Sequence, residues 1–372
     1  MKAKHLLAAT ALCAFTLPPT SAHAAALSYT VTDLGTLGGF GSSAYGINAS
    51  GQVSGVSDVT ITGSIIYHAV RWTGTTPTDL GSLNGGTNSQ GNCINASGQI
   101  AGYFNGNGAN AAPAARWTGT TGEILGNTLG GTYSNAYGIN ASGQVTGYSY
   151  SPGNNITHAV VWTGTTQTVL GTFGTPGIFD DSSSIGYGMN DAGQVGGWAN
   201  DTRRSREVQR AVRWTGTTPT DLGPGLGYGI NASGQVVGSG GGHAVVWTGT
   251  TPTDLGTLGG GGSVGYGIND YGDVIGMSYI SDNATQDAFL YTGGTMYDLN
   301  SLLLPDSGVS NLVISKGGNG INNLGQIVAT GTVGGQPHAL RLTPTPEPAS
   351  VALLVVGATL LAARRLRRNA SF

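Results

Sequence analysis

One unit is written seven times along this chain, and that repetition restricts the available folds more than any other feature. Asn48, Asn95, Asn140, Asn190, Asn231, Asn269 and Asn322 each follow Ile or Met and precede x-x-Gly. The mean spacing is about 46 residues, a period that belongs to circular arrays of several strands per unit and is too long for one coil of a short-repeat β-helix. A second anchor ends in an aromatic at Trp72, Trp117, Trp162, Trp214, Trp247 and Tyr291, with Leu342 in the seventh place. It reads His-Ala-Val-x-Trp at His68–Trp72, His158–Trp162 and His243–Trp247. The third anchor is Asp-Leu-Gly at Asp33–Gly35, Asp79–Gly81, Asp221–Gly223 and Asp254–Gly256, with looser copies at Ile124–Gly126, Val169–Gly171 and Asp298–Asn300.

Each unit predicts four short strands. Tyr45–Asn48 and Gln52–Gly55 flank Asn-Ala-Ser-Gly, where Asn caps a type I turn and Gly51 supplies the positive-φ residue of a G1 bulge. Ala69–Trp72 and Pro77–Leu80 flank Thr73-Gly74-Thr75-Thr76, a second hairpin turn. Neither turn leaves room for a helix. The phase of the repeats then decides the architecture. The body opens with an Asp-Leu-Gly strand, Tyr29–Gly35, that lacks its preceding aromatic strand, and closes with His338–Leu342, which lacks its following Asp-Leu-Gly strand. Pairing the two completes a seventh unit from both ends of the chain and removes the exposed edges of a linear array. The expectation is an all-β, seven-bladed β-propeller over residues 25–343, closed by its N-terminal strand.

Running the strands of a blade from axis to rim puts Gly46, Gly138, Gly188, Gly229 and Gly267 at the crowded axis, where a side chain would collide. It also puts the two tight turns on one face of the disc and the two variable connections on the other. Length variation between units is expected only in those connections, and binding is expected on their face. Tyr150, Phe179 and the Arg203, Arg204 and Arg206 group are the candidate ligand contacts, the arginines suiting an anionic glycan.

Composition agrees with an exported β-protein. Glycine supplies 66 of 372 residues and charged residues only 9%, against ~25% in ordinary soluble domains. The 39% hydrophobic content still suffices for a core. Without the two termini, nine Lys and Arg face 17 Asp and Glu, a net of −8 that makes nucleic acid a poor partner. Lys316 is the one lysine of that body.

Both termini read as addresses. Lys2 and Lys4, an apolar stretch from Leu6 to Leu17 and the small-x-small site Ala22-His23-Ala24 make residues 1–24 a secretory signal for a signal peptidase. Cys13 follows Leu12 in the middle of the apolar stretch and does not fit a lipoprotein site, and Cys93, the only other cysteine, reads as a small buried hydrophobe. Residues 344–372 hold Pro346-Glu347-Pro348, an apolar run Ala349–Ala363 and the cluster Arg364, Arg365, Arg367 and Arg368. Fifteen apolar residues reach about 22 Å as a helix, short of a ~30 Å hydrocarbon core, so the segment reads as a marginal anchor with its arginines on the cytoplasmic side.

This tail resembles the PEP-CTERM sorting signal of Gram-negative bacteria, down to the literal Pro346-Glu347-Pro348. The resemblance implies an exosortase partner, cleavage near the motif, transient membrane insertion and delivery to the cell surface or an exopolysaccharide matrix. The repeats in turn resemble the HAF family of extracellular repeats, at His68-Ala69-Val70, His158-Ala159-Val160, His243-Ala244-Val245 and His338-Ala339-Leu340, while Asp287-Ala288-Phe289 keeps the Phe and loses the His. That resemblance covers roughly residues 29–343 and implies an extracellular protein with no assigned activity.

Few residues suggest chemistry. The repeated His gives way to Arg210, Asp287 and Pro113 in other units, and four histidines spread around a ring share no metal, so a structural role at a strand start is expected. The Asp of Asp-Leu-Gly, replaced by Ile124 and Val169, reads as a strand-end hydrogen-bonding residue, and the anchor Trp as inter-blade packing unless one ring is exposed to stack on sugar. Asn269-Asp270-Tyr271-Gly272-Asp273 clusters oxygens at a turn but lacks the alternating carboxylates and distal Glu of a calcium loop. Glycosylation sequons at Asn48, Asn95, Asn140 and Asn231 coincide with the tight turns, whereas those at Asn155 and Asn283 lie in variable loops. Asp180-Asp181 reads as a solvated loop. No cofactor or catalytic set emerges. The expected function is a non-catalytic binding or structural propeller whose partner is an extracellular polysaccharide or surface protein; the alternative is an extracellular propeller glycan hydrolase or lyase.

Overall fold

The computed structural model describes residues 28–61, 64–105, 111–127, 129–173, 182–201, 208–317 and 319–345. Their strands form seven four-stranded antiparallel sheets arranged as the blades of a β-propeller, one blade per repeat. In blade one the strands Ser42–Ile47, Val53–Ile61, Ser64–Thr73 and Thr76–Gly81 lie side by side in chain order, as the sequence predicts from axis to rim. The first turn takes the expected form. Gly51 N–H donates to Asn48 C=O and Asn48 N–H to Gln52 C=O, both at 3.0 Å, with Gly51 at φ +75°.

Ring closure is also as expected. The strand Tyr29–Asp33 pairs antiparallel with Gln336–Pro344, from Tyr29 opposite Pro344 to Asp33 opposite Leu340. It is the outer strand of blade seven, whose other members are Ile327–Val333 and Val309–Val313. Beyond the ladder, Ser28 and Thr345 share a side-chain hydrogen bond of 2.5 Å, and Thr345 N–H reaches Ser28 C=O at 3.0 Å. The chain ends of the body thus lie together on the tight-turn face.

Apolar side chains fill the seams between blades. Trp72, Trp117, Trp162 and Trp214 are wholly buried and Trp247 is 2% exposed, so none offers a face to a sugar. The Leu of each Asp-Leu-Gly enters the same layer: Leu80 packs with Ile94, Ile100 and Trp117 of the following blade. Polar side chains stitch the seams as well. Ser89 Oγ donates to Gly81 C=O at 2.6 Å and accepts from Ala69 N–H at 2.8 Å, joining blade two to blade one. Ser42 does the same across the closure, to Gly35 C=O at 2.8 Å and from Ala339 N–H at 2.9 Å.

The repeated Asn does more than cap a turn. Asn48 Oδ1 accepts from the N–H groups of Ser50 and Gln52, while its Nδ2 donates to Asn95 C=O of the next blade at 3.1 Å. The same donation runs from Asn95 to Asn140, from Asn190 to Asn231 and on to Asn269, and from Asn322 across the closure to Asn48. All seven asparagines are buried, so each contact satisfies groups that water cannot reach.

One expectation fails here. Length variation is not confined to the loop connections, because blade seven departs from the repeat inside its inner strand. Val313 faces Thr330 as Ser43 faces Val56, and Gly320 C=O bonds Val328 N–H where Gly46 faces Ser54. Between those points run residues 314–319, where blade one has only Ala44 and Tyr45.

Candidate functional site

Each regular inner strand carries a β-bulge at one place. In blade one the register passes from Ala44 opposite Gly55 to Gly46 opposite Ser54, which leaves Tyr45 without a ladder partner. The same break falls at Tyr137, Tyr187, Tyr228 and Tyr266, and at Asn92 in blade two. A bulge at a sheet edge re-aims a side chain, and here the edge is the axis of the ring. The following glycine closes the wall: a Cβ on Gly138 would lie 2.7 Å from Tyr187 C=O oxygen and 2.9 Å from Met189 N of the next blade. Backbones meet at the glycines, and tyrosines line the channel between them.

Four of these rings run continuously. Tyr137 and Tyr187 have centroids 4.8 Å apart, Tyr187 and Tyr228 5.0 Å, and Tyr228 and Tyr266 5.3 Å. Second-strand tyrosines extend the arc toward the variable-loop face, with Tyr148 5.9 Å from Tyr137 and Tyr150 at right angles to Tyr148, 5.6 Å away. At this mouth a cavity of about 630 Å³ opens, with Tyr45, Tyr103, Tyr137 and Tyr148 among its walls. Its floor is a chain of amides. Tyr103 Oη donates to Gln90 Oε1 at 3.4 Å, Gln90 Nε2 to Asn92 Oδ1 at 2.7 Å, and Asn92 Nδ2 to Asn135 Oδ1 at 2.7 Å. Asn135 in turn bonds Tyr148. The opposite end of the channel narrows to about 220 Å³ among the Asn turns.

Burial raises the phenols, and neighbouring phenols add to it. Tyr45 and Tyr148 are each pushed up to about 12, the first also by Tyr103 and the second by Tyr150 and Tyr187. Tyr137 and Tyr228 go higher still for the same reasons. The channel therefore presents neutral hydroxyl donors at any physiological pH. Among the described residues that line the mouth cavity there is no Asp or Glu, and Lys316 is the one charged group.

Of the predicted ligand contacts, Tyr150 lies beside this mouth, 6.1 Å from Tyr133 and packed on Tyr148. Phe179, Arg203, Arg204, Arg206 and the Asp180-Asp181 pair lie outside the described residues, as do Ala22 and Ala24 of the signal and the whole motif from Pro346 through Arg368. No helix among the described residues is long and apolar enough to cross a membrane. The inner-strand tyrosines and the amide floor escaped sequence reasoning, which looked to loops; the available signal was an aromatic one place before the axis glycine in five units.

The repeated His and Asp, read separately, are partners. His68 Nδ1 bonds Asp79 at 2.9 Å, His243 bonds Asp254 at 2.9 Å, and His338 bonds Asp33 at 2.8 Å, the last joining the two ends of the body. Arg210 replaces His opposite Asp221 at 2.7 Å. Burial pushes the Asp79 carboxyl up, but hydrogen bonds from His68 and the Gly81 N–H outweigh it and hold it below the ordinary carboxylate value. Asp254 is held down first by the Gly256 N–H and then by His243. In blade six Asp287 stands at the His position beside Asp298, and burial together with Asp298 and Asp282 pushes Asp287 up.

Cys93 takes the axis-glycine position of blade two, where complete burial pushes its thiol up to about 12. At the suspected calcium turn, Asp273 accepts from Asn269 Nδ2 at 2.9 Å and Asp270 accepts from Asn323 Nδ2 at 2.7 Å, so both carboxylates are engaged in turn hydrogen bonds. No cluster of three His, Cys, Asp or Glu suited to a metal occurs among the described residues. The acceptor asparagines of the turn sequons are buried, whereas Asn155 and Asn283 are exposed.

No family model matches the chain, and no curated protein does. Among solved structures the chain is similar to XC5397 from Xanthomonas campestris, a gluconolactonase, at 11% identity over 85% of this chain and 90% of that one, with a TM-score of 0.37. It is similar to TolB from Acinetobacter baumannii at 12% identity over 67% of this chain and 66% of that one, with a TM-score of 0.36.

Proposed function

We propose that this chain is an exported binding propeller of the cell surface or exopolysaccharide matrix, delivered through its signal peptide and PEP-CTERM-like tail and non-catalytic in itself. The observation that carries the binding role is the tyrosine- and amide-lined channel mouth on the variable-loop face. A concave site with aromatic walls and a few fixed polar groups suits a small polar ligand or one residue of a polymer, and about 630 Å³ falls within the ordinary range for such sites. Pyranose rings fit this chemistry: their C–H faces lie on aromatic faces, and their hydroxyls pair with amides and phenols.

The test is a glycan array with the purified exported protein, followed by incubation of any bound glycan with an excess of protein. Retention of defined saccharides, without new reducing ends or unsaturated products, is the expected result. Release of either product would make the protein a hydrolase or lyase, and a blank array from folded protein would end the saccharide-binding reading.

A further inference from the structure

The only lysine of the body is delivered to the channel mouth by a segment absent from the other six units. After Val313 the chain leaves the blade seven ladder and crosses toward blade three: a Cβ on Gly317 would come within 2.8 Å of Tyr137 Cδ1. Gly317 also sits at φ +85°, so both its conformation and its contact exclude a side chain. Ile314 holds the near end, buried at 3% with its N–H on Met277 Sδ at 3.3 Å. This strap places Ser315 and Lys316 in the wall of the same cavity as Tyr45, Asn135 and Tyr148.

We propose that the channel mouth takes a saccharide unit carrying a single carboxylate, its ring against the channel tyrosines and its carboxylate on Lys316; this rests on the binding role proposed above. Lys316 is exposed, and among the described residues no carboxylate pairs with it. Internal hydrogen bonds hold the amide floor in shape, and its groups are neutral, so they can meet hydroxyls while the lysine meets charge. An ammonium is a compact point charge, suited to one carboxylate oxygen rather than to a forked pair. The surrounding charge narrows the ligand class further. A body of net −8 repels a dense polyanion such as a nucleic acid or polyphosphate, whereas a uronic acid adds one charge among many hydroxyls.

The experiment is calorimetric titration of the exported protein with the methyl glycoside of galacturonic acid, which carries one carboxylate, and with its methyl ester, which keeps the shape and removes the charge. Native protein is expected to bind the acid about tenfold or more tightly than the ester, the size of one charge-assisted hydrogen bond, with the difference shrinking as salt is added. Lys316→Gln, at an exposed position, should bring the acid down to the ester's affinity with an unchanged melting temperature, and Lys316→Arg should retain most of the preference. Equal affinity for acid and ester, unaffected by Lys316→Gln, would overturn the carboxylate assignment and leave saccharide binding standing. No heat with either probe from folded protein also overturns it, and joined to a blank glycan array it removes the binding role too.

Discussion

At the scale of single residues, one side chain often serves two ladders. Asn95 Oδ1 accepts from the Ser97 and Gln99 N–H groups of its own turn, and its Nδ2 donates to Asn140 C=O of the next blade at 3.0 Å. Asn95→Ala strands the buried Asn140 C=O and removes the acceptor of the part-buried Ser97 and Gln99 N–H groups, so a loss of about 2–3 kcal/mol is expected in denaturant unfolding. The local half of that role was legible, because an Asx turn is written within five residues. The inter-blade half was not, since its partner stands a full repeat away. The His–Asp pairs were legible in principle: Pro113 and Ile124 replace both partners in the same unit, and Arg210 keeps the charge where Asp221 stays. The channel tyrosines carry a pH prediction. Their folded-state values lie above the unfolded value of about 10, so the stability they contribute is complete below that pH and lost as pH rises through their folded values. Phenolate absorbance should show Tyr45 and Tyr148 silent at pH 10 and appearing near pH 12, together with loss of fold. Titration of every tyrosine near 10 would contradict their burial.

Among the elements, the closing strand and the bulged inner strands decide most. Tyr29–Asp33 came directly from repeat phase, because an orphan strand at each end of the body fits only one pairing. Deleting Tyr29–Gly35 removes the outer partner of Gln336–Pro344, the His338 contact with Asp33 and the acceptor of Ser42 Oγ at once. The whole ring should melt at a lower temperature as one transition, read by calorimetry. A melting curve identical to that of the intact protein would mean that closure contributes nothing. The bulge was less accessible to sequence reasoning, since an alternating pattern marks which side a residue faces but not where the ladder slips. The strap of blade seven is hidden for a different reason: the sequence shows extra residues between Asp298 and Asn322 but not whether they lie in the loop or inside the strand. Only the ladder shows that Val313, not Gly317 four residues after it, stands opposite Thr330 in the strand.

For the molecule as a whole, the sorting reading makes a chemical prediction. Mass spectrometry of exported protein should find a C-terminus near Pro348, with Ala349–Arg368 removed. An intact Phe372 on surface protein would overturn processing at that motif. The seven-fold plan was legible because the repeats are nearly uniform, and the candidate site was not because it lies where uniformity breaks: Asn92 for Tyr, Cys93 for Gly, and the strap that carries Lys316. The junction of Tyr29–Asp33 with Gln336–Pro344 has a mechanical consequence. The last strand of the body is not at the margin of its sheet, since it is hydrogen-bonded to Ile327–Val333 on one side and to Tyr29–Asp33 on the other. Tension applied along it through Thr345 would load two rows of hydrogen bonds together in shear, where a marginal strand would peel one bond at a time. The same pull leaves from the tight-turn face, so a disc held by its C-terminal end would turn its open channel mouth away from the point of attachment.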